Sequence, residues 1–332
     1  MDKQFIGVDI GTSACKAAAF DEDGTVLAQA NRPYPVSYPA AGWAEQDPEA
    51  WWAAACDALG DVLRQGAVDP AKIRGVGVDG QSWSAVAVDE KGRVLAPAPI
   101  WMDTRARDIC ERVSRDVGGE RIFSVAGNSF LPSYTTPKML WFKEERPEVF
   151  ARTYKFLQSN SFIVLRLTGV MSQDLSQGYG IHFFDMQKLS YDGALAHDLG
   201  LSTDLAPPLY ACDAVVGTVT EAAAARTGLL PGTPVVAGGL DAACGALGAG
   251  VYKAGQTQEQ GGQAGGMSIC TDRAVPHEKL ILSPHVAPGM WLLQGGTVGG
   301  GGALRWFRQE LGQGMRFDQL TAEAEQVPPG AD

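Results

Sequence analysis

The apolar positions of this chain fall into three textures. The first hundred residues set short apolar runs against acidic or glycine-containing turns, the pattern of strands and hairpins. The middle carries apolar residues at helical spacing. From Gly261 onward, glycine-rich turns separate short strands. Phe5-Ile6-Gly7-Val8-Asp9-Ile10 reads as a strand that brings a carboxylate to its tip, and Gly11-Thr12-Ser13 follows as a turn. Cys15 to Phe20 predicts a returning strand. A P-loop would place a helix there, so this turn belongs to another class.

A short internal echo supports the hairpin reading. Phe20-Asp21-Glu22-Asp23-Gly24-Thr25-Val26 recurs as Val88-Asp89-Glu90-Lys91-Gly92-Arg93-Val94, each an acidic turn closed by glycine between apolar segments. Asp47-Pro48 predicts a capped helix start, with Trp51, Trp52, Ala55, Leu59 and Val62 forming its buried stripe. Ile73 to Gly80 reads as a buried strand. Helices are predicted over 104–117, 137–145, 160–168 and 221–227, the last stopped by Gly228. Pro234 to Asp241 is a strand that delivers a second aspartate to the mouth of a small-residue helix. Another helix is expected from Ala303 to Leu311, and a domain change just after Gly250.

Composition narrows the function classes. With 332 residues, 45% of them hydrophobic and 20% charged, the chain can bury the core of a two-domain globular protein. A net charge of −11 argues against a nucleic-acid or anionic-membrane surface. Six scattered cysteines and four histidines show neither a disulfide framework nor zinc spacing. No signal pattern or membrane-length apolar run occurs, and a reducing cytoplasm is the default expectation.

The candidate chemistry lies in the turns. Glycine at 11 leaves backbone N–H groups open to a phosphate, Thr12 and Ser13 can donate hydroxyls, and Lys16 adds a positive charge. Asp9 beside a phosphate calls for a cation between the two. Gly238-Gly239-Leu240-Asp241 supplies the second strand-borne carboxylate. Gly80-Gln81-Ser82-Trp83 and Trp101-Met102-Asp103 add groups suited to a polyol, hydrogen-bond partners together with an indole face. Gly75-x-Gly77-x-x-Gly80 matches a dinucleotide fingerprint, but the strand-like sequence after it predicts no helix and argues against that role.

These residues, in this order, resemble the FGGY family of carbohydrate kinases on its xylulokinase-like branch. The resemblance also takes in Glu45-Gln46-Asp47-Pro48, Thr136-Pro137-Lys138-Met139-Leu140-Trp141 and Val235-Val236-Ala237. It implies an α/β architecture of two ribonuclease H-like domains, as in the actin/hexokinase superfamily, with mixed sheets. The expected division is a sugar-binding domain over 1–250 and an incomplete ATP-binding domain over 251–332. ATP, Mg²⁺ and a small sugar are the implied ligands, with a homodimer as one open expectation. By position, Asp241 is implied as the general base and Asp9 as the magnesium carboxylate. Gly11, Thr12, Ser13 and Lys16 would meet the phosphates, and Gln81, Ser82, Trp83 and Asp103 the sugar.

The chain departs from that family at three places. Gly262-Gln263-Ala264-Gly265 stands where a second phosphate turn, Gly-Thr-Ser-Gly, is common. Gly262 and Gln263 are the implied phosphate contacts there. Leu240-Asp241-Ala242 replaces a more polar triplet, and family members continue past residue 332, so the piece alone is expected to lack substantial kinase activity. The expected reaction is phosphorylation of a ketopentose such as D-xylulose. Its rivals are a kinase for another ketose, deoxy-ketose or polyol, and a catalytically silent sugar-binding or regulatory protein.

Overall fold

The computed structural model describes residues 3–261, 265–297, 301–328 and 330. Its first half is built on a mixed sheet whose centre is the strand Gln4–Ile10. On one side lie Ala14–Asp21 and then Val26–Pro33, an antiparallel meander. On the other side Ile73–Gly80 runs parallel to the central strand, followed outward by Pro234–Val236 in parallel and Val215–Thr218 in antiparallel. Gly239–Leu240 rejoins the far end of Ile73–Gly80 as a two-residue parallel segment. This mixed α/β sheet has the expected ribonuclease H-like form.

Strand alternation decides what each face does. Ile6, Val8, Ile10, Cys15, Ala17, Ala19, Val76 and Val78 point to one side and are buried. They share a core with Trp51, Leu59 and Val62 of the helix Pro48–Arg64 and with Phe162 and Ile163 of the helix Ser159–Thr168. The expected cap holds, since the Asp47 carboxylate accepts the Glu49 N–H. Gly7, Asp9, Lys16, Ala18 and Asp79 take the opposite parity and line an open cavity of about 630 Å³. One face packs, and the other is free for chemistry.

Both predicted acidic turns form in the same way. The Asp21 carboxylate accepts the N–H groups of Asp23 and Thr25, and Asp89 accepts those of Lys91 and Arg93. Gly24 and Gly92 close them at φ of 83° and 74°. The expected single helix over 104–117 is broken. Arg107–Val113 passes into a wide π turn over Ser114–Gly118, and Gly119–Ala126 continues as a separate helix. Gly118, at φ +96°, permits the break.

Beyond residue 250, Thr257–Gly261, Gly265–Thr271, Trp291–Thr297 and Ile281–Pro284 form an antiparallel sheet in that order. Cys270, Leu282 and Leu292 enter the same core as Trp83, Tyr179 and Phe184. Asn128 fastens the sheet from both sides, donating to the Leu282 carbonyl at 2.8 Å and accepting its N–H at 2.9 Å. The helices Gly301–Glu310 and Phe317–Ala324 follow, with Trp306 and Phe307 exposed.

Candidate active site

Four strands place four positions in one row across the open face. Lys16 lies opposite Asp9, Asp9 beside Asp79, and Asp79 beside Gly239. Asp241, two residues past Gly239, begins the helix Asp241–Gly248. The two aspartates singled out from sequence therefore converge, and the Asp9 charge helps to raise the Asp241 pKa. The turn at Gly238 makes this geometry. Its φ is +83°, and a Cβ added there would meet the Val78 carbonyl oxygen at 1.9 Å. Only glycine lets the backbone cross its neighbour so closely.

The charges in the row are poorly compensated. Lys16 Nζ donates to Asp9 Oδ2 at 2.9 Å, an exposed contact that raises the Lys16 pKa. Asp9 Oδ1 is buried and has no hydrogen-bond partner among the described residues. Burial, helped by the charges of Asp9 and Asp241, pushes the Asp79 carboxyl up to about 9, so it keeps its proton at neutral pH. Burial also raises Asp241 to about 6, opposed by the Ala242 N–H that its Oδ1 accepts at 2.7 Å. Carboxyl groups displaced toward neutrality on an open face are candidates for proton transfer and cation binding. Among the described residues no group of three or more His, Cys, Asp or Glu gathers to hold a metal. A pair of carboxylates suits magnesium, which takes much of its shell from water and phosphate.

The turn beside Asp9 is held by its carbonyls. Tyr34 OH donates to Gly11 O at 2.6 Å, Gln46 Nε2 to Thr12 O at 2.8 Å, and the Tyr34 N–H to Ser13 O at 3.2 Å. Neither the Thr12 nor the Ser13 N–H finds an acceptor among the described residues. Trp101 Nε1 donates to Thr12 Oγ1 at 2.9 Å, so an indole borders the turn. This arrangement of outward N–H groups fits an anion. Gly262 and Gln263 lie outside the described residues.

The expected sugar contacts separate into two groups. Trp83 is held at φ +59°, a conformation rare for a bulky residue, and its ring stacks on Tyr134 with centroids 4.2 Å apart. Its Nε1, together with Gln81 Oε1, Ser84 Oγ and Gln158 Oε1, is buried without a hydrogen-bond partner among the described residues. Ser82 Oγ accepts the Tyr179 hydroxyl at 2.8 Å. Gln81 is turned inward, with Nε2 donating to Gln46 Oε1 at 2.7 Å, and leaves only its carbonyl oxygen for another group.

Asp103 is held differently. It is fully buried and doubly bonded to the buried guanidinium of Arg105, and it also accepts the Ala44 N–H at 2.7 Å. Both its oxygens are engaged within the protein. The reason lies two residues along, where Arg105 folds back beneath Trp43 with its guanidinium 3.8 Å from the ring centre.

Three further residues hold the site together that pattern reading did not place there. Asp79 is the first. Its signal was its parity with Gly75 and Gly77 on a strand parallel to that of Asp9. Lys138 is the second, buried, with its amine donating to the carbonyls of Trp83, Ile100 and Ser133. Burial lowers its pKa to about 7. Ser176, the third, bonds to the backbone just before Asp241. The dinucleotide-like glycines end in a strand with no following helix, as expected.

Comparison with known proteins agrees with this geometry. The sequence model of the FGGY family of carbohydrate kinases, N-terminal domain, matches residues 4–248. A xylulose kinase of Bacillus subtilis (strain 168) is 33% identical, with 99% of this chain and 66% of the relative covered. One from Escherichia coli (strain K12) is 32% identical, over 99% and 67%. The crystal structure of xylulose kinase from Rhodospirillum rubrum matches with a TM-score of 0.94 at 31% identity, covering 99% of this chain and 68% of that one. The chain spans about two thirds of the length of these relatives.

Proposed function

The chain belongs to the FGGY family of carbohydrate kinases, and from that membership we propose that its protein transfers the γ-phosphoryl group of ATP to a hydroxyl of a ketopentose such as D-xylulose. The observation that carries the reading is the row Lys16–Asp9–Asp79, with Asp241 at its end on the open sheet face. Phosphoryl transfer asks a protein for positioning, charge neutralisation and a base, and this row supplies all three. Asp241 takes the proton from the attacking hydroxyl, and its raised pKa makes it a stronger base that is still ionised at neutral pH. Thr12 and Ser13 offer N–H groups to the phosphates, with Lys16 alongside.

Asp9, through its unpartnered Oδ1, would hold Mg²⁺. The ion would neutralise the polyphosphate. Trp83 Nε1 and the side-chain carbonyl oxygens of Gln81 and Gln158 would bind sugar hydroxyls. Gly262 and Gln263 are carried as further phosphate contacts by position alone. The division near residue 250 is supported by the family match ending at 248 and by a new sheet starting at Thr257. We place the protein in the cytoplasm. Its cysteines are free, and no described helix is long and apolar enough to cross a membrane.

The test is ADP release from Mg·ATP against a panel of ketoses and polyols, using this chain and any longer product of the same gene. D-xylulose-dependent turnover is expected from any longer product, with other ketoses weaker. Saturable sugar binding by calorimetry without nucleotide turnover would replace the kinase with a silent sugar-binding protein.

A further inference from the structure

We propose that the buried turn Asp174–Gln177 is a positioning device for the general base, with Asp174 and Ser176 acting on Asp241 through the backbone of Leu240. The inference rests on the assignment of Asp241 as the base. Asp174, Ser176, Gln177 and Asn160 are all inaccessible to solvent. Among the described residues no cation pairs with the Asp174 carboxylate. Five donors serve it instead, one of them the Cys212 thiol, whose Sγ lies 4.0 Å from Oδ1. Oδ1 accepts from Ser176 Oγ at 2.5 Å and Gln177 N at 2.8 Å, and Oδ2 from Asn160 Nδ2 at 2.9 Å and Gln173 Nε2 at 3.2 Å. A buried carboxylate so arranged is costly unless every bond is made, so the turn has one geometry.

That geometry is transmitted. Because the Ser176 hydroxyl gives its hydrogen to Asp174, its lone pairs face the other way, and Oγ accepts the Leu240 N–H at 2.8 Å. Leu240 is the last strand residue before Asp241 begins its helix. The two-residue strand Gly239–Leu240 is too short to fix itself by sheet pairing. Ser176 Oγ therefore supplies a side-chain anchor at the point where the chain changes direction. One residue on, Gln177 Nε2 donates to Gly80 O at 2.8 Å, gripping the end of the strand that carries Asp79. A single turn thus fixes two neighbouring strand ends, one bearing Asp79 and the other leading into Asp241. A loss of a few tenths of an ångström there would move the base away from the hydroxyl, to which rate is more sensitive than binding.

The experiment compares Ser176→Ala, Asp174→Asn and Asp241→Asn by steady-state kinetics and by hydrogen exchange of the Leu240 amide in the full protein. In Ser176→Ala the Leu240 amide is expected to exchange at least tenfold faster. Its kcat should fall ten- to a hundredfold while KM for sugar and ATP stays within twofold. Asp174→Asn should move both readouts the same way by less. A purely structural turn would lower the denaturation midpoint and leave kcat per folded molecule unchanged, which would overturn the proposal. Unchanged Leu240 exchange in either variant would do so too, and Asp174→Asn decides the matter should Ser176→Ala not fold. Full turnover by Asp241→Asn would instead remove the base assignment, leaving the Leu240 exchange to judge the anchor by itself.

Discussion

Two charged regions sit within a few turns of chain from each other and behave in opposite ways. Around Asp103 every charge has a partner. Arg105 bridges Asp103 and Glu45, lies against Trp43 and Trp141, and is almost wholly buried. Along the row Lys16–Asp9–Asp79 the charges are crowded and incompletely matched, on a face that opens to a cavity. The first region is what a fold does with ionic groups when it needs a fixed segment. The second is what remains when groups must stay available for something else. Electrostatic dissatisfaction, more than charge itself, marks where chemistry belongs.

The contrast can be broken by substitution. The largest effect should come from the open row. Asp241→Asn removes the base and is expected to lower kcat by about 10²- to 10⁴-fold with little change in thermal stability. In the unaltered protein kcat/KM should rise with pH through about 6 and then level, because the base must be ionised and burial has lifted its pKa there. A pH–rate profile without that acidic limb would count against Asp241.

The closed cluster should respond in the opposite sense. Asp103→Asn leaves Arg105 with half its partners, and a broken buried pair costs roughly 3 kcal/mol. We expect a clear fall in the chemical denaturation midpoint, with kcat per folded molecule nearly retained. Loss of rate at unchanged stability would return Asp103 to the ligand.

A pH dependence sharpens the comparison. The Asp79 carboxyl holds its proton to about 9 in the folded protein, against a reference value of 3.8. Between those limits the native state binds more protons than the unfolded chain, so stability falls as pH rises across that window. Asp79→Asn should flatten that slope and leave the protein more stable at pH 8 than the unaltered chain. Urea melts at pH 5 and pH 8 would measure it, and a variant less stable at pH 8 would refute it.

Much of the frame was legible because local rules set it. The meander, both acidic turns, the capped helix at Pro48 and the strand-borne Asp9 follow from short-range patterns of glycine, acid and apolar residues, whereas the strand expected to carry Asp241 breaks at Gly238 and leaves that residue at the start of a helix. The missing helix after Gly80 was equally readable, and it disposed of a misleading glycine motif. What sequence could not give is how distant groups satisfy one another. Asp103 looked available because its pairing with Arg105 depends on the fold of that loop around Trp43. Asp79 looked like core because only the register beside Asp9 shows which face it takes. Ser176 and Lys138 matter through bonds to backbone atoms far along the chain, and those leave no local trace.

The crossing at Gly238 has a consequence for heredity as much as for mechanism. With a carbonyl oxygen 1.9 Å from where any side chain would begin, the position tolerates no substitute short of moving a central strand. A saturation library through this stretch, selected only for soluble expression, should return the parental codon family there and variety on either side. Folding alone would then preserve the approach to the base, before selection for growth on any sugar had acted.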